Sequence, residues 1–256
     1  AAAAFGDVVF SNHRCHGHFL AYGGEPYPLA AELMGKATGL GGGRGGSQHI
    51  QWRDFYSNGV QGGIVPVAAG MALAEREKKS GAVVLAFVGD GTLGEGALYE
   101  SLNVAALWRL PLLVVLEDNR YAQTTPVEKG VAGTMAGRFA AFGIPVWEGE
   151  TGDVLEVREA AAGALAHVRS GSRPAGLILH TYRFSAHSKG DDPRSPEELE
   201  RIRVYDPLGI HAPRLAAGEA EKAEAEVAAL IDDAFARAAA DPFPALTTDC
   251  GPRIPS

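Results

Sequence analysis

Short apolar segments rich in β-branched residues recur along the chain, separated by longer amphipathic segments. Three of the short segments predict buried parallel strands, at Ala82–Val88, Leu112–Leu116 and Leu177–Leu179. A weaker apolar segment at Ile144–Trp147 predicts a further strand. Because continuous apolar runs are typical of strands covered on both faces, these segments predict the centre of a sheet.

The longer segments have the residue spacing of amphipathic helices. They predict helices at Val65–Lys78, Gly96–Trp108 and Asp153–Val168, the last with Asp153 as its N-cap. Strands and helices therefore alternate, which predicts an α/β fold with a doubly wound, mostly parallel sheet.

The C-terminal segment Glu219–Ala240 is rich in Ala and Glu and is followed by a proline, which predicts one more helix. Its apolar stripe of Leu230, Ile231 and Phe235 predicts the face that docks on the rest of the domain. A coiled-coil arm is the weaker interpretation, because no heptad repeat is sustained.

Composition and charge narrow the class of protein. The chain has 256 residues, 46% of them hydrophobic, and no linker divides it, so we expect a single domain over residues 1–256. The formal net charge of −8 argues against binding to nucleic acid. No apolar run approaches the roughly 20 residues that span a bilayer, so we expect no membrane contact. Only two cysteines, Cys15 and Cys250, are present, which excludes a disulfide scaffold and favours a cytoplasmic location.

A Gly-Asp-Gly turn follows the first predicted strand and precedes a predicted helix, within Phe87–Thr92. Ligands of open α/β sheets bind at such carboxyl ends of strands, and the backbone N–H groups of a helix start attract phosphate. A carboxylate beside a phosphate is explained if Asp90 holds a hard cation such as Mg²⁺ between them. A simple turn is the alternative interpretation of these three residues.

The next strand strengthens the metal hypothesis. It runs into Asp118–Tyr121, which places Asn119 29 positions after Asp90. One helix and one strand fill that interval, so both side chains can reach the same edge of the sheet. An Asp oxygen, an Asn oxygen and a backbone carbonyl just beyond, at Tyr121, are three of the oxygen ligands that Mg²⁺ prefers.

Gly89-Asp90-Gly91, Glu95 and Asn119 together resemble the thiamine-diphosphate motif of transketolase-like enzymes. The wider run from Gly89 to Pro126 is similar to the alpha subunits of 2-oxo-acid dehydrogenases, including the acetoin and pyruvate dehydrogenases. Further matching blocks are His13–His18, Gly43–Ile50, Asn58–Ala74 and His180–Ser195. The resemblance covers nearly the whole chain in the same order and implies a thiamine-diphosphate-binding domain.

The resemblance also implies a set of site residues. It assigns cofactor binding to Arg14, Gly59, Val60, Gln61, Gly89, Asp90, Gly91, Thr92, Asn119, Arg183 and His187. It assigns Mg²⁺ to Asp90, Asn119 and Tyr121, and catalytic roles to His187 and His16.

This chain differs from relatives of the family in two places near these residues, and it is rich in glycine. Relatives often carry a tyrosine where His13 stands, and a His-Gly-His-Ser sequence where this chain has only His187. Glycine makes up 33 residues, about 13% against a usual share of about 7%. The glycines of Gly39–Gly63 and Gly89–Gly96 are expected to surround the cofactor.

The remaining histidines leave alternatives open. His16, His18 and His49 could suggest zinc, but they lie in separate sequence blocks. His16 or His49 facing a substrate channel is the more plausible interpretation, and a structural, hydrogen-bonded histidine is as plausible for each.

The implied activity is decarboxylation of a 2-oxo acid, or cleavage of acetoin, with transfer of the acyl unit to a lipoyl-bearing acyltransferase. Two stretches, Ser11–His18 and Tyr182–Asp192, resemble the acetoin type more closely than the pyruvate type. Alternatives are transfer of the two-carbon unit to an acyl-carrier protein, ketol transfer by a split transketolase, and a non-catalytic scaffold subunit. A dinucleotide-binding protein lacks support, because no G-x-G-x-x-G follows the first strand.

The resemblance implies a partner as well. In the heteromeric family a beta subunit supplies the glutamate that activates the cofactor's aminopyrimidine. Glu95 follows Asp90 too closely to reach that end of the cofactor. We therefore expect an α2β2 heterotetramer. Relatives usually carry several dozen helical residues before the block that starts at Asp7, so we expect either a natural short form or a segment that is encoded elsewhere or was removed.

Overall fold

A computed structural model describes residues 3, 6–171, 173–188, 190, 192 and 194–245. The strands are β1 (Val8–Ser11), β2 (Gln51–Trp52), β3 (Phe55–Ser57), β4 (Val84–Gly89), β5 (Leu112–Asp118), β6 (Tyr121–Ala122), β7 (Thr125–Pro126), β8 (Val146–Glu150) and β9 (Ala175–His180). The helices are α1 (His16–Ala21), α2 (Pro26–Leu33), α3 (Gln61–Lys78), α4 (Gly96–Leu107), α5 (Met135–Ala140), α6 (Val154–Gly171), α7 (Pro196–Ile202), α8 (Pro207–His211) and α9 (Glu219–Ala240).

Seven strands form one sheet in the order β2-β3-β1-β4-β5-β9-β8, and β6 and β7 form a separate hairpin. Every pairing in the large sheet is parallel except that of β2 with β3. Helices cover both faces, so the predicted doubly wound, mostly parallel α/β fold is confirmed. The carboxyl ends of β1, β4, β5 and β9 lie along one edge.

The two faces of the central strands belong to different apolar clusters. Along β5, Leu112, Val114 and Leu116 pack with the side chains of α3 and α4, while Leu113 and Val115 pack on the α6 side. Successive residues of a strand point to opposite faces, so a strand buried on both sides must be apolar throughout. This is why β4 and β5 are visible as continuous apolar runs in the sequence.

The four predicted strands correspond to β4, β5, β8 and β9, with shifts of a few residues at their ends. The first predicted helix begins earlier than expected, at Gln61, because the Glu95 carboxylate accepts the N–H of Gly62 in its first turn (3.2 Å). The predicted N-cap of α6 is confirmed, since Asp153 Oδ1 accepts the N–H of Leu155 (2.9 Å).

Helix α9 has the predicted bounds and docks on the rest of the chain as predicted, but only part of the predicted stripe lies on the docked face. Ile231 is half-buried, whereas Leu230 and Phe235 remain 53% and 41% exposed, and Ala234 and Ala238 are buried against Ala30 and Ala31 of α2. Small side chains let the two helix backbones approach closely, which large apolar side chains at the same positions would prevent.

Buried Lys36 fixes the end of α9 by donating to the carbonyls of Ala239 and Asp241 at 3.0 and 2.9 Å. No helix among the described residues is long and apolar enough to cross a membrane. Cys15 is buried, and Cys250 lies outside the described residues.

Candidate functional site

A cavity of about 770 Å³ opens at the carboxyl ends of β1, β4, β5 and β9. The structure brings all the predicted cofactor and metal residues to its wall: Arg14, Gly59, Val60, Gln61, Gly89, Asp90, Gly91, Thr92, Asn119, Tyr121, Arg183 and His187. These residues come from five separate segments of the chain, and the parallel sheet gathers them at one edge.

Asp90 is the most unusual group of the cavity. Its side chain is almost fully buried, and Oδ1 accepts the N–H of Gly91 (2.9 Å). Oδ2 is buried without a hydrogen-bond partner among the described residues. Burial, followed by the nearby carboxylate of Asp118, raises the pKa of Asp90 to about 6. A buried carboxylate oxygen without a donor fits a site for a hard divalent cation, which satisfies the oxygen and removes the cost of its charge.

Asn119 is placed next to Asp90 by the register of the sheet. Gly89 at the end of β4 pairs with Glu117 of β5, so the two metal candidates follow neighbouring strands at the same edge. Asn119 Oδ1 accepts the N–H of Tyr121 (3.0 Å) and keeps a second lone pair for a metal. This hydrogen bond ends at Tyr121, the residue whose carbonyl is the third predicted metal ligand.

Gln61 connects the start of α3 to the Gly-Asp-Gly turn. Its Oε1 accepts the N–H of Gly89 (2.5 Å) and the hydroxyl of Thr92 (3.0 Å), and its Nε2 donates to His13 Nδ1 (3.1 Å). The resemblance assigns Gln61 to cofactor binding, and the structure shows that its side chain also organises the wall of the cavity.

Cationic side chains line the same cavity as the acidic turn. Arg14 Nη2 donates to the carbonyl of His187 and lies 3.4 Å from His187 Nδ1. Arg183 donates to the carbonyls of Ser185 (2.9 Å) and Gln123 (3.1 Å). The segment after β9 thus lines the cavity, and the guanidinium groups of Arg14 and Arg183 both lie at its wall, an arrangement suited to a phosphate-bearing ligand.

Two other carboxylates at the cavity wall are already hydrogen-bonded within the chain. Glu117 accepts from Asn12 Nδ2 (2.7 Å) and from His18 Nε2 (3.2 Å). Glu95 accepts the N–H of Gly62, and a Cβ at that glycine would lie 2.0 Å from Glu95 Oε2. Asp90 is therefore the acidic residue of the described wall that has a buried carboxylate oxygen without a hydrogen-bond partner.

His16 is the predicted site residue that does not line the described cavity. Its Nε2 lies 3.0 Å from the carbonyl oxygen of Ser47. His18 contacts Glu117, and His49 is exposed. Within the described residues, no group of three or more His, Cys, Asp or Glu side chains is arranged to hold a metal ion. The catalytic role of His16 stays a prediction.

The glycine-rich segment Gly39–Gly46 is expected to surround the cofactor, but it has a different role. Buried Glu32 of α2 accepts four backbone N–H groups: those of Gly41, Gly43, Gly45 and Gly46, at 2.6, 2.9, 2.6 and 3.1 Å. A Cβ at Gly39 would lie 2.5 Å from Glu32 Oε2. Gly39–Gly46 therefore surrounds a carboxylate of this chain and is not part of the described cavity wall.

A second charge network, which no sequence motif indicates, includes Asp118, a neighbour of Asp90. His180 Nδ1 lies 2.7 Å from Asp118 Oδ2, and His180 Nε2 lies 2.9 Å from Glu148 Oε1. Burial lowers the pKa of His180, but the hydrogen bonds to both carboxylates outweigh it and raise the pKa above its usual value. These three residues belong to three strands, so only the assembled sheet brings them together.

Comparison with known proteins gives matches over most of the chain. A family profile described as "Dehydrogenase E1 component" matches residues 1–247. Pyruvate dehydrogenase E1 component subunit alpha of Zymomonas mobilis is 42% identical over 209 residues, which cover 79% of this chain and 59% of that protein. The protein of the same name from Rhizobium meliloti is 38% identical over 252 residues, covering 93% of this chain and 72% of that protein.

The human somatic mitochondrial form is 36% identical over 251 residues, which cover 94% of this chain and 64% of that protein. This chain thus spans less than two thirds of the length of the Zymomonas mobilis and human relatives. Similarity of this extent, together with the profile match, establishes that the chain belongs to the dehydrogenase E1 component family.

Proposed function

We propose that this chain is the alpha subunit of an enzyme that uses thiamine diphosphate and Mg²⁺ to decarboxylate a 2-oxo acid. The observation that carries the proposal is the buried Asp90 carboxylate with an unpartnered oxygen, in a cavity whose wall also holds the guanidinium groups of Arg14 and Arg183. Thiamine diphosphate and Mg²⁺ are the standard cofactors of the family.

The residues at the cavity wall suit this cofactor. Asp90, the side chain of Asn119 and the carbonyl of Tyr121 would hold Mg²⁺, and Arg14 and His187 would hold the diphosphate. When bound, thiamine diphosphate supplies the carbon nucleophile that attacks the substrate carbonyl and accepts the electrons left by decarboxylation. The work of the protein is to bind and orient this cofactor and to exclude water from it.

A partner subunit is part of the proposal. Glu117 and Glu95 are both engaged by donors of this chain, and Asp90 is assigned to the metal. By resemblance to the family, we assign the acid that activates the aminopyrimidine to a beta subunit in an α2β2 heterotetramer.

Pyruvate is the first substrate to test, because the relatives described above are pyruvate dehydrogenase subunits. Acetoin is the second, from the resemblance of two sequence blocks. A lipoyl-bearing acyltransferase is the proposed acceptor, and an acyl-carrier protein is the alternative. The cytoplasmic location stays a prediction from cysteine content.

The proposal is tested by calorimetric titration of the chain, co-purified with its beta subunit, with thiamine diphosphate in the presence and absence of Mg²⁺. We expect binding that requires Mg²⁺ and is lost in Asp90→Asn, which keeps the shape of the side chain but not its charge. Release of CO₂ from pyruvate should follow the same pattern.

Glu77→Gln is a matched control, because Glu77 lies on the exposed side of α3 and its ion pair with Arg76 is at the surface. It should bind and turn over as the unchanged protein does. Absence of cofactor binding in the unchanged complex would contradict the proposal and favour the scaffold alternative.

A further inference from the structure

The orientation of the Gln61 amide is determined by one of its neighbours. A backbone N–H can only donate, so the Gln61 atom 2.5 Å from the nitrogen of Gly89 must be the amide oxygen. The hydroxyl of Thr92 donates to the same oxygen at 3.0 Å. The other end of the amide is therefore the NH₂ group, which lies 3.1 Å from His13 Nδ1.

This orientation determines where His13 carries its proton. An NH₂ group donates, so Nδ1 of His13 must accept and cannot itself be protonated. A neutral imidazole then has its single proton on Nε2. Gln61 thus selects the Nε2–H tautomer of His13 through a chain of hydrogen bonds that starts at the backbone of Gly89.

The free nitrogen of His13 is open to the cavity. The ring is part of the cavity wall, and Nε2 has no hydrogen-bond partner among the described residues. It is also absent from the buried, unpartnered side-chain atoms of the described chain, so it remains accessible to a ligand. The ring lies between Gln61 and His187, with 6.0 Å between the two imidazole centroids.

The backbone around His13 is held in place. Asn12 Oδ1 accepts the N–H of Arg14 (2.8 Å), which closes a turn around His13, and Asn12 Nδ2 is fixed by Glu117. Burial, followed by the charges of Arg14 and His187, lowers the pKa of His13, which favours the neutral ring. The imidazole is therefore presented as a pre-oriented neutral donor.

We propose that His13 is a ligand-binding residue whose Nε2–H donates a hydrogen bond to the diphosphate of the bound cofactor. Gln61 selects the tautomer of His13 that carries this donor. This inference rests on the proposed function, because it takes thiamine diphosphate as the ligand of the cavity. It assigns to His13 and Gln61 a joint role that neither residue type predicts alone.

The test compares two variants that differ by a single donor. His13→Phe removes the ring donor, and His13→Tyr places a hydroxyl on a ring of the same shape. Dissociation constants for thiamine diphosphate with Mg²⁺, and for inorganic diphosphate as a competitor, are measured in the complex with the beta subunit. Thermal unfolding confirms that each variant is folded.

We expect His13→Phe to weaken binding of both probes roughly ten- to hundredfold, the loss of a hydrogen bond to a charged group. His13→Tyr should bind within roughly threefold of the unchanged protein. The inference is overturned if the Phe variant binds as tightly as the unchanged protein, or if Phe and Tyr weaken binding equally. Failure of the proposed function gives a different result, since then the unchanged complex does not bind thiamine diphosphate.

The tautomer can be measured without any ligand. Two-bond ¹H–¹⁵N correlation spectra of the ¹⁵N-labelled chain distinguish protonated from bare ring nitrogens, and His13→Phe identifies the His13 signals by their loss. We expect a protonated Nε2 and a bare Nδ1. A proton on Nδ1 would overturn the inference independently of the binding data.

Discussion

The side-chain oxygen of Gln61 accepts the N–H of Gly89 across 2.5 Å, joining the first residue of α3 to the last residue of β4. The same oxygen accepts the hydroxyl of Thr92 on the far side of the Gly-Asp-Gly turn. The first residue of α3 therefore fixes both ends of the turn that carries Asp90.

Gln61→Leu should destabilise the fold, because it leaves the N–H of Gly89 and the hydroxyl of Thr92 without their acceptor. We expect a loss of about 1–3 kcal/mol in the free energy of unfolding, measured by chemical denaturation. Gln61→Glu keeps an acceptor at the same place and should lose clearly less. Equal losses in the two variants would show that the acceptor does not matter.

The acidity of Asp90 predicts a pH dependence. Its pKa in the folded protein, about 6, lies above the ordinary value of 3.8, so the folded state holds this proton more tightly than the unfolded state. The stability of the metal-free protein should therefore fall, by up to about 3 kcal/mol, as the pH rises from about 4 to about 6. Mg²⁺ affinity should rise over the same interval, because the metal needs the carboxylate.

Denaturation at a series of pH values, with and without Mg²⁺, measures both effects. In Asp90→Asn the corresponding part of the pH dependence should disappear, and Mg²⁺ should add no stability. An unchanged pH profile in this variant would mean that another group titrates.

Glu32→Gln should unfold the glycine-rich segment. The carboxylate accepts two N–H groups on each oxygen, and an amide nitrogen in place of one oxygen would face two donors. We expect a loss of about 2–5 kcal/mol in stability, together with faster amide exchange at the four glycines. Glu25→Gln, at an exposed position just before the same helix, should change stability by less than about 0.5 kcal/mol. Protected glycine amides in Glu32→Gln would contradict this account.

The docking of α9 is tested by two substitutions on the same helix. Ala234→Asp introduces a carboxylate between α9 and α2 and should cost about 2–4 kcal/mol. Leu230→Asp, at an exposed position, should change the stability of the chain by less than about 0.5 kcal/mol. The apolar stripe in the sequence predicts the reverse order, so thermal unfolding of both variants decides between the two faces.

The sequence predicts the centre of the fold because β4 and β5 are buried on both faces and are apolar at nearly every position. It does not predict β1, with four residues, or β2 and β3, with two and three, because such short segments carry no periodic pattern. The docked face of α9 is missed for another reason. Its buried residues are alanines, which carry a weaker hydrophobic signal than the exposed Leu230 and Phe235.

Some residues of the candidate site can likewise be predicted from the sequence, and others cannot. Asp90 and Asn119 are predictable because each stands at a strand end within a spaced motif. Glu32 and the side-chain role of Gln61 are not, since a glutamate in an amphipathic helix and a glutamine at a helix start usually face solvent. Their partners lie 9–14 and 28–48 positions away along the chain, so only the folded structure shows them.

The most direct measurement is a crystal structure of this chain with its beta subunit, Mg²⁺ and thiamine diphosphate. The account predicts a metal ion held by the Asp90 carboxylate, the Asn119 side-chain oxygen and the Tyr121 carbonyl, with the diphosphate between that ion and Arg14. A cofactor bound outside this cavity, or a metal ion that does not contact Asp90, would contradict it.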